Sequence, residues 1–195
     1  MNNKLSFIIM LISIFALSSC GMRSIPQAEN QVEAGWADVQ NQYKRRADLV
    51  PNLVAVVKGY AQHEKETLEA VINARAKATQ TQVNFNELDE QKMKKFTQAQ
   101  GELSSSLSRL LVSVEKYPDL KANENFKDLQ AQLEGTENRI TVSRNRYIEA
   151  IKEFNNEITV PPTSWYNSLF LHKEKKPQFA VENLPQVENA PEVKF

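Results

Sequence analysis

The sequence predicts an all-α protein, and three observations carry that prediction. Only five glycines occur in 195 residues, and after Gly21 only Gly35, Gly59, Gly101 and Gly135 remain. The body of the chain is rich in Gln, Glu, Lys, Ala and Leu, which favour helix, and has few β-branched alternations of period two. From Gln27 to about Ile158 the apolar residues recur at steps of three and four, which places them on one face of a helix. The expected architecture is an antiparallel, up-and-down four-helix bundle over 27–158. Its helices lie near 27–47, 50–78, 87–117 and 122–158, and an irregular, proline-containing tail follows over 159–195.

The first element is a leader. Lys4 precedes an apolar run from Leu5 to Leu17, and small residues lead into Cys20, the only cysteine. A charged start, an apolar middle and a small-residue exit are the layout of a secretory signal peptide. The run of 13 residues is shorter than the roughly 18 to 20 needed to cross a bilayer. Leu17-Ser18-Ser19-Cys20 also resembles the lipobox of bacterial lipoproteins, in which the cysteine is acylated and becomes the new N-terminus. Residues 1–20 are therefore expected to be a lipoprotein-type leader, Cys20 the lipidation site and 21–26 a short tether. Gly21 stands where an aspartate commonly retains lipoproteins in the inner membrane, which points to the outer membrane in a cell that has two. A lone cysteine excludes an intramolecular disulfide and any multi-thiolate metal site.

The first helix carries Val32, Trp36, Val39 and Tyr43, and Pro51 then interrupts. Proline inside a helix removes one hydrogen bond and clashes with the carbonyl four residues back, at a cost of about 3 kcal/mol. Asp48 can cap a new helix that holds Pro51 in its first turn, so a break is the preferred reading. The competing reading is one kinked helix, because the stripe keeps phase through Tyr43, Arg46, Val50, Leu53, Val57 and Tyr60, with Arg46 its only polar member. Leu68, Val71 and Ile72 continue the second helix, and the Thr-, Gln- and Asn-rich stretch from Thr79 to Asn86 makes a turn. The third stripe reads Met93, Phe96, Gln100, Leu103, Leu107, Leu110, Val114, Tyr117, with only Gln100 breaking the apolar set, and Pro118 stops it. Asn123 is a good N-cap for the fourth helix, whose stripe runs Phe126, Leu129, Leu133, Thr136, Ile140, Ser143, Tyr147, Ile151, Phe154, Ile158. The short connection between these last two helices makes them antiparallel neighbours. In the tail, Val160-Pro161-Pro162 ends the helix, and Val181-Glu182-Asn183-Leu184-Pro185-Gln186 repeats as Val187-Glu188-Asn189-Ala190-Pro191-Glu192, which suits an extended segment.

A hydrophobic content of 41% and a charged content of 25% suit one soluble domain with a real core. Lysine plus arginine balance aspartate plus glutamate at 24 each, so the basic field that a nucleic-acid partner requires is missing. The two histidines, His63 and His172, sit in no metal motif: Tyr60 stands where a Glu-x-x-His pair needs its glutamate, and Thr67 where His-Glu-x-x-His needs its second histidine. Ser104-Ser105-Ser106 and Ser108 have no histidine or lysine in a nucleophile motif, and there is no glycine-rich phosphate loop. No catalytic set, metal or cofactor is expected. The unusual feature is charge on or beside the apolar stripes: Glu64, Arg75, Arg109, Glu137 and Arg144. Pointed inward they must pair, as a register-fixing network or as a ligand pocket; at the bundle edge they extend their heads to water. Trp165 and Phe170, with Tyr166, Leu169 and Leu171 and the nearby Lys173, Lys175 and Lys176, suit either a membrane-interface contact or a return onto the end of the bundle, the latter preferred.

Several phrases carry a family likeness. They are Lys44-Arg45-Arg46-Ala47-Asp48-Leu49-Val50-Pro51-Asn52-Leu53-Val54, Lys58-Gly59-Tyr60-Ala61-Gln62-His63-Glu64, Ala74-Arg75-Ala76, Tyr117-Pro118-Asp119-Leu120-Lys121-Ala122-Asn123-Glu124-Asn125-Phe126 and Leu133-Glu134-Gly135-Thr136-Glu137-Asn138-Arg139-Ile140. In these the chain resembles the LemA family of bacterial envelope proteins, from about Trp36 to the tail. The resemblance implies a four-helix antiparallel bundle at a membrane, with an unsettled biochemical role. Typical relatives hold the bundle on an N-terminal transmembrane helix, whereas this chain carries the short leader; Ile148 and Phe154 also stand where the family usually shows Asn and Tyr. The expected function is non-enzymatic: a bundle anchored to the membrane through acylated Cys20, facing the extracytoplasmic side of the bacterial envelope. There it acts as a scaffold toward an envelope protein partner. The alternative is an envelope ligand-binding module with a charged pocket between the helices. The residues set no oligomeric state.

Overall fold

The helical periodicity becomes six helices in the computed structural model, which describes residues 2–61 and 63–179, with side chains from Arg23 onward. They are α1 (Asn2–Tyr60), α2 (Lys65–Gln80), α3 (Glu90–Val114), α4 (Pro118–Ala122), α5 (Glu124–Thr159) and α6 (Thr163–Tyr166). A 3-10 turn spans Phe85–Glu87 and a π turn Asn167–Leu171. No strand occurs among the described residues, and the class is all-α.

Three local differences separate these six helices from the four expected, and the second and third of them add a helix each. The first corrects the preferred break at Pro51: α1 continues through it, and the break comes instead between Tyr60 and Lys65. Pro51 has no N–H, so the carbonyl of Ala47 loses its partner within the helix. The side chain of Arg75, on α2, supplies a replacement, its Nε–H donating to that oxygen at 2.8 Å. With the orphaned acceptor satisfied and the stripe through Val50, Leu53 and Val57 buried, the helix continues. Second, Pro118 opens the separate short helix α4, which buries Leu120 before Asn123 caps α5 by accepting from the Phe126 N–H at 3.0 Å. Third, the region after Pro162 is partly ordered as α6 and the π turn, where only irregular chain was expected.

Register follows from side-chain contacts. Trp36 of α1 lies 5.5 Å from Tyr147 of α5 between ring centroids, and Arg46 pairs with Glu137, so the two helices run antiparallel. Gly35 permits their close approach, since a Cβ there would meet the Tyr147 Cα at 3.3 Å. Helix α2 packs on α1 and α3. At 16 residues against 36, α2 spans about 24 Å and α5 about 54 Å, at 1.5 Å per residue. The shorter pair α2–α3 therefore covers only one end of the α1–α5 seam.

The core accordingly falls into two clusters. One, under α2 and α3, joins Val50, Leu53 and Val57 to Val71, Leu103, Leu110, Phe126 and Leu133. The other joins Ile25, Val32, Trp36 and Val39 to Phe96, Ile140, Tyr147, Ile151, Phe154 and Ile158. The second is roofed partly by the loop before α3, where Trp36 Nε1–H and Gln40 Nε2–H donate to the Val83 carbonyl at 3.0 and 2.6 Å. The tail covers the rest. His172 adopts a left-handed conformation (φ 51°) and turns the chain back along the seam. Lys173 and Lys176 then pair with Glu29 at 2.8 and 3.3 Å, Tyr147 O–H donates to the Pro177 carbonyl at 3.2 Å, and Phe179 is buried against Trp36 and Tyr147. The internal repeat over 181–192 lies outside the described residues, as does the side chain of Cys20.

Candidate functional site

Between the two apolar clusters lies a polar layer. Arg46 follows Tyr43 and precedes Val50 on the buried face of α1, so helical spacing alone drives its side chain inward. Its exposure is 1%. An unpaired guanidinium there would cost several kcal/mol, so its donors must be satisfied. Nη1–H groups donate to Ser104 Oγ at 2.5 Å and Glu137 Oε1 at 2.8 Å; Nη2–H groups donate to the Gln100 carbonyl at 2.9 Å and to Gln100 Oε1 at 2.8 Å. Gln100, itself buried, passes the connection on: its Nε2–H donates to the Ala78 carbonyl at 3.2 Å. One guanidinium thus ties α1 to α3 and α5 directly, and to α2 through Gln100. Only Nε lacks a partner, and the guanidinium lies against the Tyr43 ring, 5.1 Å from its centroid.

The pair is asymmetric. Arg46 is enclosed, while the Glu137 side chain is 47% exposed and keeps part of its hydration. Beside them a groove of about 380 Å³ between α1, α3 and α5 carries Thr97, Thr141 and Arg144 on its walls and Phe179 at one side. The Arg144 guanidinium stacks over the Phe179 ring at 4.5 Å. Burial pushes the Tyr43 phenol above its ordinary pKa, against the pull of Arg144 and Arg46. Burial alone does the same to Tyr147. Both therefore stay neutral and act as hydrogen-bonding and packing groups.

Of the charges singled out from the sequence, the structure brings Glu137 and Arg144 to this groove. The other three go elsewhere. Arg75 bonds the Ala47 carbonyl, as described above. Glu64 accepts from Tyr117 O–H at 3.2 Å at the α1–α2 corner, and Arg109 is exposed on a second groove, of about 460 Å³, between α2 and α3. Sequence reasoning noted the residues at the centre, Arg46, Gln100 and Ser104, but did not place them in the candidate site. The signal for the first two was present: each is a lone polar residue in an otherwise apolar stripe. The segment that carries Trp165 and Phe170 packs on α1, but these two side chains face outward. They are 64% and 68% exposed, while Tyr166 and Leu171 between and beside them pack inward. Among the described residues no group of three His, Cys, Asp or Glu side chains could hold a metal ion, and no helix is long and apolar enough to cross a membrane.

A polar layer in which both terminal nitrogens of Arg46 are bonded to neighbouring helices defines an all-helical protein with a structural polar centre. The family model described as the LemA family matches residues 35–195, and the chain belongs to that family. It is also similar to Protein LemA of Metamycoplasma hominis, with 25% identity over 162 residues, covering 83% of this chain and 69% of the relative.

Proposed function

We propose that this chain is a non-enzymatic, lipid-anchored scaffold of the bacterial cell envelope, held to a membrane through acylated Cys20 on the extracytoplasmic side. On this reading α1, α2, α3 and α5 act as an antiparallel four-helix bundle around the Arg46 layer, and the strapped tail completes the other end. The observation that carries the proposal is where the polar chemistry lies. The fully buried Arg46 cation is bonded to the protein's own helices, and its neighbouring carboxylate is committed to it. This leaves the outward-facing polar surface, with Gln82, Gln91 and Gln98 on it, as the part available to an envelope protein. The leader ending in Leu17-Ser18-Ser19-Cys20 supports the anchor, and Gly21 favours the outer membrane where there are two.

The test is crosslinking in intact cells from a photoreactive residue placed at Gln98. The expected result is one envelope protein recovered reproducibly, and lost when neighbouring surface residues of α3 are changed. Recovery of no protein, with a small molecule co-purifying instead, contradicts the scaffold. A ligand-binding module is the second reading, favoured by the groove that holds Arg144. Native mass spectrometry showing a bound anion that disappears in Arg144→Ala would establish it.

A further inference from the structure

We infer that the exposed Val160–Phe170 segment is a membrane-interface contact, and that it seats this end of the protein on the same lipid surface that holds Cys20. The inference rests on the lipid-anchor reading above. Its first support is the distribution of apolar exposure. Among the residues whose side chains are described, the large exposed hydrophobics elsewhere are scattered one to a helix: Tyr60 on α1, Ile72 on α2, Val112 on α3 and Val142 on α5. Such single exposures are ordinary. In contrast, Val160, Trp165, Leu169 and Phe170 fall within eleven residues, the last three 64%, 70% and 68% exposed. A concentration of this kind marks a contact surface.

The second support is that the face is held outward. Tyr166 and Leu171 pack on the core, and buried Asn167 is locked to the next segment, donating from Nδ2 to the Lys173 carbonyl at 3.0 Å and accepting from the Lys173 N–H at 2.9 Å. Trp165, Leu169 and Phe170 therefore project from a fixed platform.

Position decides the partner. The constant antiparallel register, Trp36 against Tyr147 and Arg46 against Glu137, carries Thr159 to the level of residue 24 of α1. Helix α6 follows directly and packs on α1. Residue 20 lies four residues from residue 24, about 6 Å along a helix. An acyl-bearing Cys20 and the aromatic platform thus share one end of the molecule. Trp and Phe on a short ordered segment suit the headgroup–acyl boundary; the exposed cation Lys175 follows the segment in the sequence, and exposed Arg23 lies on α1 next to the level that faces Thr159.

The two tryptophans make a direct test. Trp36 is buried and Trp165 exposed, so full-length acylated protein in phosphatidylethanolamine–phosphatidylglycerol vesicles with brominated acyl chains carries one shielded and one reporting indole. The expected result is bromine quenching and a blue shift of the Trp165 component, both lost in Trp165→Phe. Leu169→Asn with Phe170→Ser should weaken the quenching without lowering the melting temperature, since both side chains are exposed. Trp165 emission that keeps its aqueous wavelength and stays open to iodide in the vesicles overturns the inference. So does a blue shift without bromine quenching that disappears on dilution, which would assign the face to a second copy of the chain. The mass of the N-terminal peptide reads acylation separately. Cys20→Ala protein added to the same vesicles shows whether the face meets lipid without the acyl chains. Quenching without acylation removes the anchor and keeps the face; acylation without quenching does the reverse.

Discussion

Arg46 is an interior cation whose partners differ in what they lose without it. Glu137 is half in water and can rehydrate, whereas Gln100 is buried and would keep an unmet acceptor. Arg46→Met should therefore destabilise the protein by about 2–4 kcal/mol, through the orphaned Gln100 amide and the loss of charge-assisted bonds. Adding Gln100→Met removes the orphan, and urea denaturation should show the double variant to be more stable than Arg46→Met alone. A double variant that is worse than the single would mean that the layer is not held by this exchange of bonds. Half of this centre was legible in the sequence, because Arg46 and Gln100 stand alone among apolar neighbours at helical spacing. Their mutual bond was not, since period alone does not say which helices face each other at which level. For Glu64, Arg75 and Arg109 the sequence placed the charge beside a stripe. The height at which each long side chain found a carbonyl, a phenol or water depended on tertiary register.

Helix α1 shows how one side chain decides an element's length. The general cost of Pro51 argued for a break, and the stripe that keeps phase across it does not supply the missing hydrogen bond. The offset comes from Arg75, 24 residues later, on the opposing helix. If this bond is what lets α1 continue, Arg75→Met should cost about 1.5–3 kcal/mol in the native background, the range for a hydrogen bond to a charged group. It should cost distinctly less beside Pro51→Ala, where the introduced alanine supplies the missing N–H. Equal losses in both backgrounds, measured as a double-mutant cycle, would show the two positions to be uncoupled. The remaining boundaries were readable because their signals are local: Asn123 caps α5, Pro118 ends the preceding stripe, and the α5 face from Phe126 to Ile158 is buried nearly as its spacing predicts.

At the scale of the molecule, two unequal helix pairs leave one end of the core to be closed by the loop before α3 and by the tail. That closure was not legible, since a strap has no period and its charges meet partners more than a hundred residues away. Glu29 reports on it. Burial raises its carboxyl pKa, but the bonds and charges of Lys173 and Lys176 outweigh burial and hold it below the ordinary value of 4.5. The stabilisation is thus present above about pH 4.5 and is lost as the pH falls through the lower, folded value. Hydrogen-exchange protection factors, corrected for the intrinsic rate, should fall at residues 173–179 over that acidic window in the native protein, and Glu29→Gln should abolish that fall; protection indifferent to acid would remove Glu29 as the clasp of the strap. The same end of the molecule carries the exposed aromatic face and lies next to residue 20, so the proposed lipid anchor and the proposed interface contact would be gathered at one end. Cell fractionation of a Cys20→Ala variant tests that claim most directly. With a lipid anchor at Cys20, the exported variant leaves the membrane fraction while the native protein stays in it, and a variant that remained fully membrane-bound would contradict the anchor.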